Sequence, residues 1–130
     1  MASGRPVLVG GKSLGGRIAS MCVADGMRAA GLVLLGYPLH PPGKPERIRD
    51  EHLSRIEVPM LFVQGTLDPF ARPEMIGDVV RRLGNRATLE QVEGGDHSFN
   101  VRGRRADPRE VGAGLAEPAA SFVRLVAGSR

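Results

Sequence analysis

Tryptophan is absent from this 130-residue chain, tyrosine occurs once and phenylalanine four times. A core without aromatic bulk must be filled by Val, Leu, Ile, Ala and Met. The same scarcity removes the aromatic platforms on which nucleic-acid bases stack. A single cysteine, Cys22, excludes any disulfide within the chain. Its place in an apolar helical pattern reads as a small core residue rather than a ligand or nucleophile. The three histidines, His40, His52 and His97, show no paired metal-ligand spacing with Cys or with one another. No metal site is therefore expected from them. Long apolar runs are missing as well, since nothing approaches the roughly 20 residues of a membrane helix. The N-terminus lacks the charged start, apolar run and cleavage site of a signal peptide. The expectation is a cytoplasmic protein with no membrane partner.

What is present is an ordinary globular balance, 42% hydrophobic and 25% charged, at a length suited to one domain spanning 1–130. The net charge is +4, carried by sixteen Arg and only two Lys. That bias looks like codon usage rather than a selected surface. Two basic clusters, Arg81-Arg82 and Arg102-Gly103-Arg104-Arg105, come without any nucleic-acid-binding motif. They are read as solvated surface, and nucleic acid is not an expected partner.

The strongest local pattern is Val7-Leu8-Val9-Gly10-Gly11-Lys12-Ser13-Leu14-Gly15-Gly16. Its Gly-Lys-Ser suggests a phosphate-binding loop, but such a loop needs its first Gly at position 6, which is Pro6 within the strand itself. Gly11-Lys12-Ser13-Leu14-Gly15 instead fits G-x-S-x-G, the elbow in which a strand turns sharply into a helix and holds out a serine hydroxyl. Small flanking residues let the backbone take such a turn.

The pattern around the elbow is strand, turn, helix. Pro6 to Gly10 reads as the strand, and Leu14, Ile18 and Cys22, with Ala19 and Val23 alongside, read as the helix, which Asp25-Gly26 ends. Gly31 to Gly36 is a second buried strand, and Val58 to Val63 a third. Between them lie a Pro-rich loop, Tyr37 to Lys44, and a polar helical stretch, Glu46 to Arg55. Ile76, Val79, Val80 and Leu83 mark an amphipathic helix between Pro73 and Gly84. Ala87 to Val92 is a fourth, more polar strand, placed near an edge. A final helix starts at Asp107-Pro108, with Phe122, Val123 and Val126 as its apolar face and Pro118 expected to kink or divide it. Strands alternating with helices predict an α/β fold, a mostly parallel sheet of about four strands with flanking helices.

In such a sheet, functional groups gather in loops at the carboxyl ends of strands. Those loops carry Ser13, then Tyr37 and His40, then Asp68, then Asp96 and His97. A nucleophile, a carboxylate and an imidazole thus follow in the order Ser, Asp, His. Asp68 is preferred over Asp96 as the partner of His97, since a neighbour on the same loop usually points elsewhere and Asp96 can cap a turn. Tyr37 and His40 are pocket candidates or shape the loop. Lys12 is read as a variable elbow side chain directed away from the pocket, and His52 as a surface residue.

Four segments together carry a family resemblance: Gly10-Gly11-Lys12-Ser13-Leu14-Gly15-Gly16-Arg17, Gly36-Tyr37-Pro38-Leu39-His40-Pro41-Pro42-Gly43-Lys44, Gln64-Gly65-Thr66-Leu67-Asp68-Pro69-Phe70 and Gly95-Asp96-His97-Ser98. The chain resembles the α/β-hydrolase superfamily. Within it, the chain looks like the small dienelactone-hydrolase-related branch, with its bacterial serine-hydrolase-like proteins and a eukaryotic histone-acetyltransferase-complex subunit. The resemblance implies that Ser13 is a nucleophile, His97 its base and Asp68 the acid, acting on a small-molecule ester or acyl substrate. It implies that the backbone N–H of Leu14 serves an oxyanion hole.

It also implies that the chain corresponds to the C-terminal half of the fold, a partial domain without the loop that supplies the family's second oxyanion donor. Loss of one such donor costs roughly 3 to 4 kcal/mol of barrier. An uncovered first strand would invite pairing. Expected explanations are a gene product started too late, completion by another chain, or a homodimer. A non-catalytic interaction module is the alternative reading.

Overall fold

The computed structural model describes residues 7–101 and 108–128. Strands β1 (Leu8–Lys12), β2 (Gly31–Leu35), β3 (Met60–Gly65) and β4 (Ala87–Val92) lie side by side in chain order, every neighbouring pair parallel. Helix α1 (Leu14–Ala24) follows β1, α2 (Pro73–Leu83) follows β3, and α3 (Pro108–Gly128) follows β4. The α/β sheet with flanking helices is the fold class expected. Pro6 at the expected start of the first strand, the solvated loop Arg102 to Arg105 and the helix start at Asp107 fall on residues outside those described.

Side-chain alternation along the strands builds two cores. Leu32 and Leu34 of β2 and Met60 and Phe62 of β3 face Ile76, Val79 and Leu83 of α2, together with Ala19 and Val23 of α1. Leu61 and Val63 point the other way and meet Phe122 and Val126 of α3. Because both faces are covered, β3 is buried at every residue, and its sequence shows a continuous apolar run rather than alternation. Each large aliphatic or aromatic side chain so buried contributes roughly 1.5 to 3 kcal/mol. β3 begins at Met60 rather than Val58 and runs on to Gly65, so it delivers Gln64 into the interior. Of the stretch Glu46 to Arg55, only Glu51–Arg55 is helical, as a 3₁₀ turn.

Helix α1 inverts its expected face. Leu14, Ile18, Met21 and Cys22 are exposed, whereas Gly16 and Ser20 are buried. Cys22 is thus a surface thiol, not a core residue. The cause lies in the turn before the helix. A Cβ on Gly16 would stand 2.7 Å from the Gly11 carbonyl oxygen, and one on Gly11 would stand 2.6 Å from the Gly15 carbonyl carbon. Backbone meets backbone there, so the small-residue side of the helix must face the sheet and the Leu14/Ile18 side must face away.

α3 runs through Pro118 without being divided. The carbonyl left unpaired by that proline belongs to Gly114, which is exposed and open to water.

Candidate active site

The elbow is tighter than the sequence pattern suggested. β1 extends through Gly11 and Lys12, and the chain reverses into α1 at one residue, Ser13, with φ 55° and ψ −124°. An L-residue is strained in that left-handed region, typically by about 1 to 3 kcal/mol. The Ser13 N–H donates to the Leu35 carbonyl at 2.8 Å, anchoring the turn to the end of β2. Its side chain makes no cap for α1. The hydroxyl is therefore free for another partner, and the first N–H groups of the helix, Leu14 among them, have no intrahelical carbonyl to bond.

That partner is His97. Ser13 Oγ stands 2.7 Å from His97 Nε2, and His97 Nδ1 stands 2.8 Å from Asp68 Oδ2. A carboxylate can only accept, so the imidazole carries its proton on Nδ1 and donates it to Asp68. Nε2 is then left as the acceptor of the Ser13 hydroxyl proton. The Asp68 side chain is fully buried, and that of His97 is 22% exposed. The carboxylate is held from three sides: besides His97, the Phe70 N–H donates to Oδ1 at 2.8 Å and Gln64 Nε2 donates to Oδ2 at 3.0 Å.

Two loops must approach closely for this to happen, and Gly65 allows it. A Cβ on Gly65 would collide with the Gly95 carbonyl oxygen of the loop carrying His97. The loops are also stitched together, since Leu67 N–H donates to the Gly95 carbonyl at 2.9 Å and Gly94 N–H to Thr66 Oγ1 at 2.7 Å. The ring of Phe70 packs on the imidazole of His97 with centroids 4.4 Å apart. Asp96 takes the capping place: its Oδ1 accepts from the N–H groups of Ser98 and Asn100 at 2.9 Å each.

The other sequence candidates fall elsewhere. Tyr37 and His40 are buried, and their polar atoms are consumed by the chain itself, so neither offers a group to a pocket. Tyr37 donates its hydroxyl to the Arg49 carbonyl at 2.6 Å, and burial pushes that hydroxyl up to about 12. His40 accepts from Arg72 N–H through Nε2 at 3.2 Å, which leaves Nδ1 to donate to the Pro41 carbonyl at 3.0 Å. Both residues shape the loop after β2.

Lys12 does not point away from the site. Its ammonium reaches Ser98 Oγ at 3.5 Å, next to His97.

His52 is half-buried rather than simply exposed. Ser20 donates its hydroxyl to the Arg17 carbonyl at 2.6 Å, so His52 Nε2–H donates to Ser20 Oγ at 2.7 Å and pins the 3₁₀ turn to α1. Burial first, then the charges of Arg17 and Arg55, lower its pKa below the ordinary 6.5. Two residues of the site escaped sequence reasoning, Gln64 and Phe70. For Gln64 a signal existed: a polar residue continues the inward-facing series Met60, Phe62, Gln64. Among the described residues no group of His, Cys, Asp and Glu could hold a metal ion, and no helix is long and apolar enough to cross a membrane.

Comparison with known proteins agrees with this architecture. The chain is similar in fold to puromycin hydrolase, with a TM-score of 0.68 at 20% identity, covering 93% of this chain and 22% of that one. An esterase domain from a Rhodothermus marinus protein gives 0.68 at 12% identity, covering 92% and 61%. Esterase 2 of Thermogutta terrifontis gives 0.62 at 22% identity, covering 92% and 55%. The chain thus spans less than two thirds of the length of each. Residues 1–124 match the family described as an alpha/beta hydrolase domain. By that match, and with a parallel sheet whose first strand turns at Ser13 into a helix, the chain belongs to the α/β-hydrolase domain family.

Proposed function

We propose that this chain is a serine hydrolase of the esterase or acyl-hydrolase type, working through an acyl-enzyme on Ser13. The observation that carries the reading is the unbroken relay from Ser13 Oγ to His97 Nε2 at 2.7 Å and from His97 Nδ1 to Asp68 Oδ2 at 2.8 Å. As Ser13 Oγ bonds to the substrate carbonyl carbon, its proton passes to Nε2 and the carbonyl oxygen becomes an oxyanion. The Leu14 N–H, at the positive end of α1, faces that charge. The imidazolium is held by Asp68 and returns the proton to the departing alkoxide or amine, which leaves as alcohol or amine. Water then repeats the sequence on the acyl-enzyme, giving up one proton to His97, and the acid leaves with Ser13 restored. None of these steps calls for a metal or an organic cofactor.

The finer placement in the dienelactone-hydrolase-related branch rests on four motifs together, Gly10 to Arg17, Gly36 to Lys44, Gln64 to Phe70 and Gly95 to Ser98. Labelling with a fluorophosphonate probe tests the catalytic reading. We expect an adduct on the wild-type chain and none on Ser13→Ala. A folded wild-type chain that takes no label would overturn it in favour of a binding module, a reading to which the exposed apolar side of α1 lends support.

A further inference from the structure

We propose that Gln64 is a positioning residue of the site, setting through Asp68 the orientation and the charge that His97 meets; this rests on the reading of Ser13, His97 and Asp68 as a catalytic relay. Gln64 is buried, with 1% exposure, at an inward position of β3 that alternation would fill with an apolar side chain. A buried amide must find partners for an acceptor and two N–H bonds. Here the count closes. Tyr37 N–H donates to Oε1 at 2.9 Å, and Nε2 donates to the Tyr37 carbonyl at 3.3 Å and to Asp68 Oδ2 at 3.0 Å.

The orientation of the amide is fixed by chemistry. A backbone N–H can only donate, so Oε1 must face Tyr37 N. Turned over, the amide would aim its NH₂ at that N–H and its oxygen at both a carbonyl and a carboxylate. Nε2 is therefore committed to Asp68, and to the same oxygen that receives His97 Nδ1. With Phe70 N–H on Oδ1, the carboxylate plane is held at both oxygens. The donor from Gln64 also withdraws charge from Oδ2, the oxygen that the His97 Nδ1–H meets.

The chemistry singles out glutamine. Asparagine is one methylene short, methionine fills the volume but leaves the Tyr37 N–H unpaired while the Tyr37 carbonyl keeps the Leu39 N–H, and glutamate keeps the Tyr37 N–H bond while replacing the donor by an acid. Two readouts separate positioning from packing. The first is the rate of fluorophosphonate labelling of Ser13 across pH 5 to 9. The second is the low-field proton resonance of His97 Nδ1–H, which requires no reactivity.

Gln64→Met and Gln64→Glu are expected to label about tenfold more slowly near neutral pH. The pH profile of labelling and the Nδ1–H resonance should both move away from the wild-type positions in both variants. Gln64→Glu is nearly isosteric and covers the case in which Gln64→Met does not fold. Folded variants whose pH profile and resonance both stay at the wild-type positions would overturn the proposal and leave Gln64 a packing residue. If the wild-type chain takes no label, it is the relay reading that fails, and the resonance still decides for or against Gln64.

Discussion

Ser13 combines two demands that oppose each other. Its hydroxyl must stand clear of the helix it begins, and that requires a backbone conformation in which a Cβ is strained. A nucleophile must carry a side chain, so the strain cannot be relieved by glycine without losing the hydroxyl. The two costs can be separated by comparing Ser13→Gly with Ser13→Ala. Both remove the nucleophile and should be unreactive, but only the glycine variant frees the backbone. Ser13→Gly is expected to unfold about 1 to 2 kcal/mol later than Ser13→Ala, seen as a melting temperature higher by about 4 °C for each kcal/mol. Equal melting temperatures would mean that the turn stores no strain. Gln64 shows the same tension at another residue, for it places a polar group inside a strand whose register asks for an apolar one.

At the scale of elements, α1 joins the site to the rest of the sheet, and its far attachment is titratable. His52 on the 3₁₀ turn donates to Ser20 in the middle of α1 while burial and two arginines resist its protonation. The unfolded chain takes up a proton at His52 as the pH falls below about 6.5, whereas the folded chain resists it. Protons then favour the unfolded state, so stability is full above that pH and declines as acidification proceeds toward the lower, folded-state value. His52→Gln removes this proton uptake. Melting curves between pH 7.5 and 5.5 should fall more steeply for the wild type than for the variant. Parallel declines would assign the acid sensitivity to other groups.

The elements also show what a sequence displays and what it hides. The four strands, α2 and the loops holding Ser13, Asp68 and His97 are legible because continuous apolar runs end at Gly, Pro and Asp, and because a parallel sheet puts every carboxyl end on one side. The facing of α1 is hidden, since the chain offers both an apolar stripe, Leu14, Ile18 and Cys22, and a small one, Gly16, Ala19, Ser20 and Val23. Hydrophobic periodicity favours the first. The close approach of Gly11 to Gly15 and Gly16 imposes the second. Gln64 is legible only as a misplaced polar residue, because its partner Tyr37 is 27 positions away.

At the scale of the whole molecule, among the described residues β1 pairs on one side only, with β2, and β4 closes the opposite end of the sheet. The two edges differ in chemistry. β4 alternates exposed polar residues, Thr88, Glu90 and Gln91, with partly buried apolar ones, a surface suited to water. β1 is Leu-Val-Gly-Gly-Lys, with one charge at its end, and the neighbouring Val7 is 59% exposed. An edge with unpaired N–H and C=O groups and little charge is a template for another strand. Nearby, α1 presents Leu14 and Ile18 to solvent, each more than half exposed, along with Met21.

A second copy of the chain is the occupant always at hand, and a two-fold axis would let one β1 meet another and extend both sheets. The 130-residue chain, 13.8 kDa as a monomer, is therefore expected to sediment as a dimer at tens of micromolar. Ile18→Glu with Met21→Glu should shift it toward monomer if the helix shares in the contact. Leu8→Pro should do so if strand pairing dominates, because the Leu8 N–H lies on the side of β1 away from β2 and proline removes it. A well-folded wild-type monomer at that concentration would rule out self-pairing and leave β1 as an edge that the isolated chain tolerates.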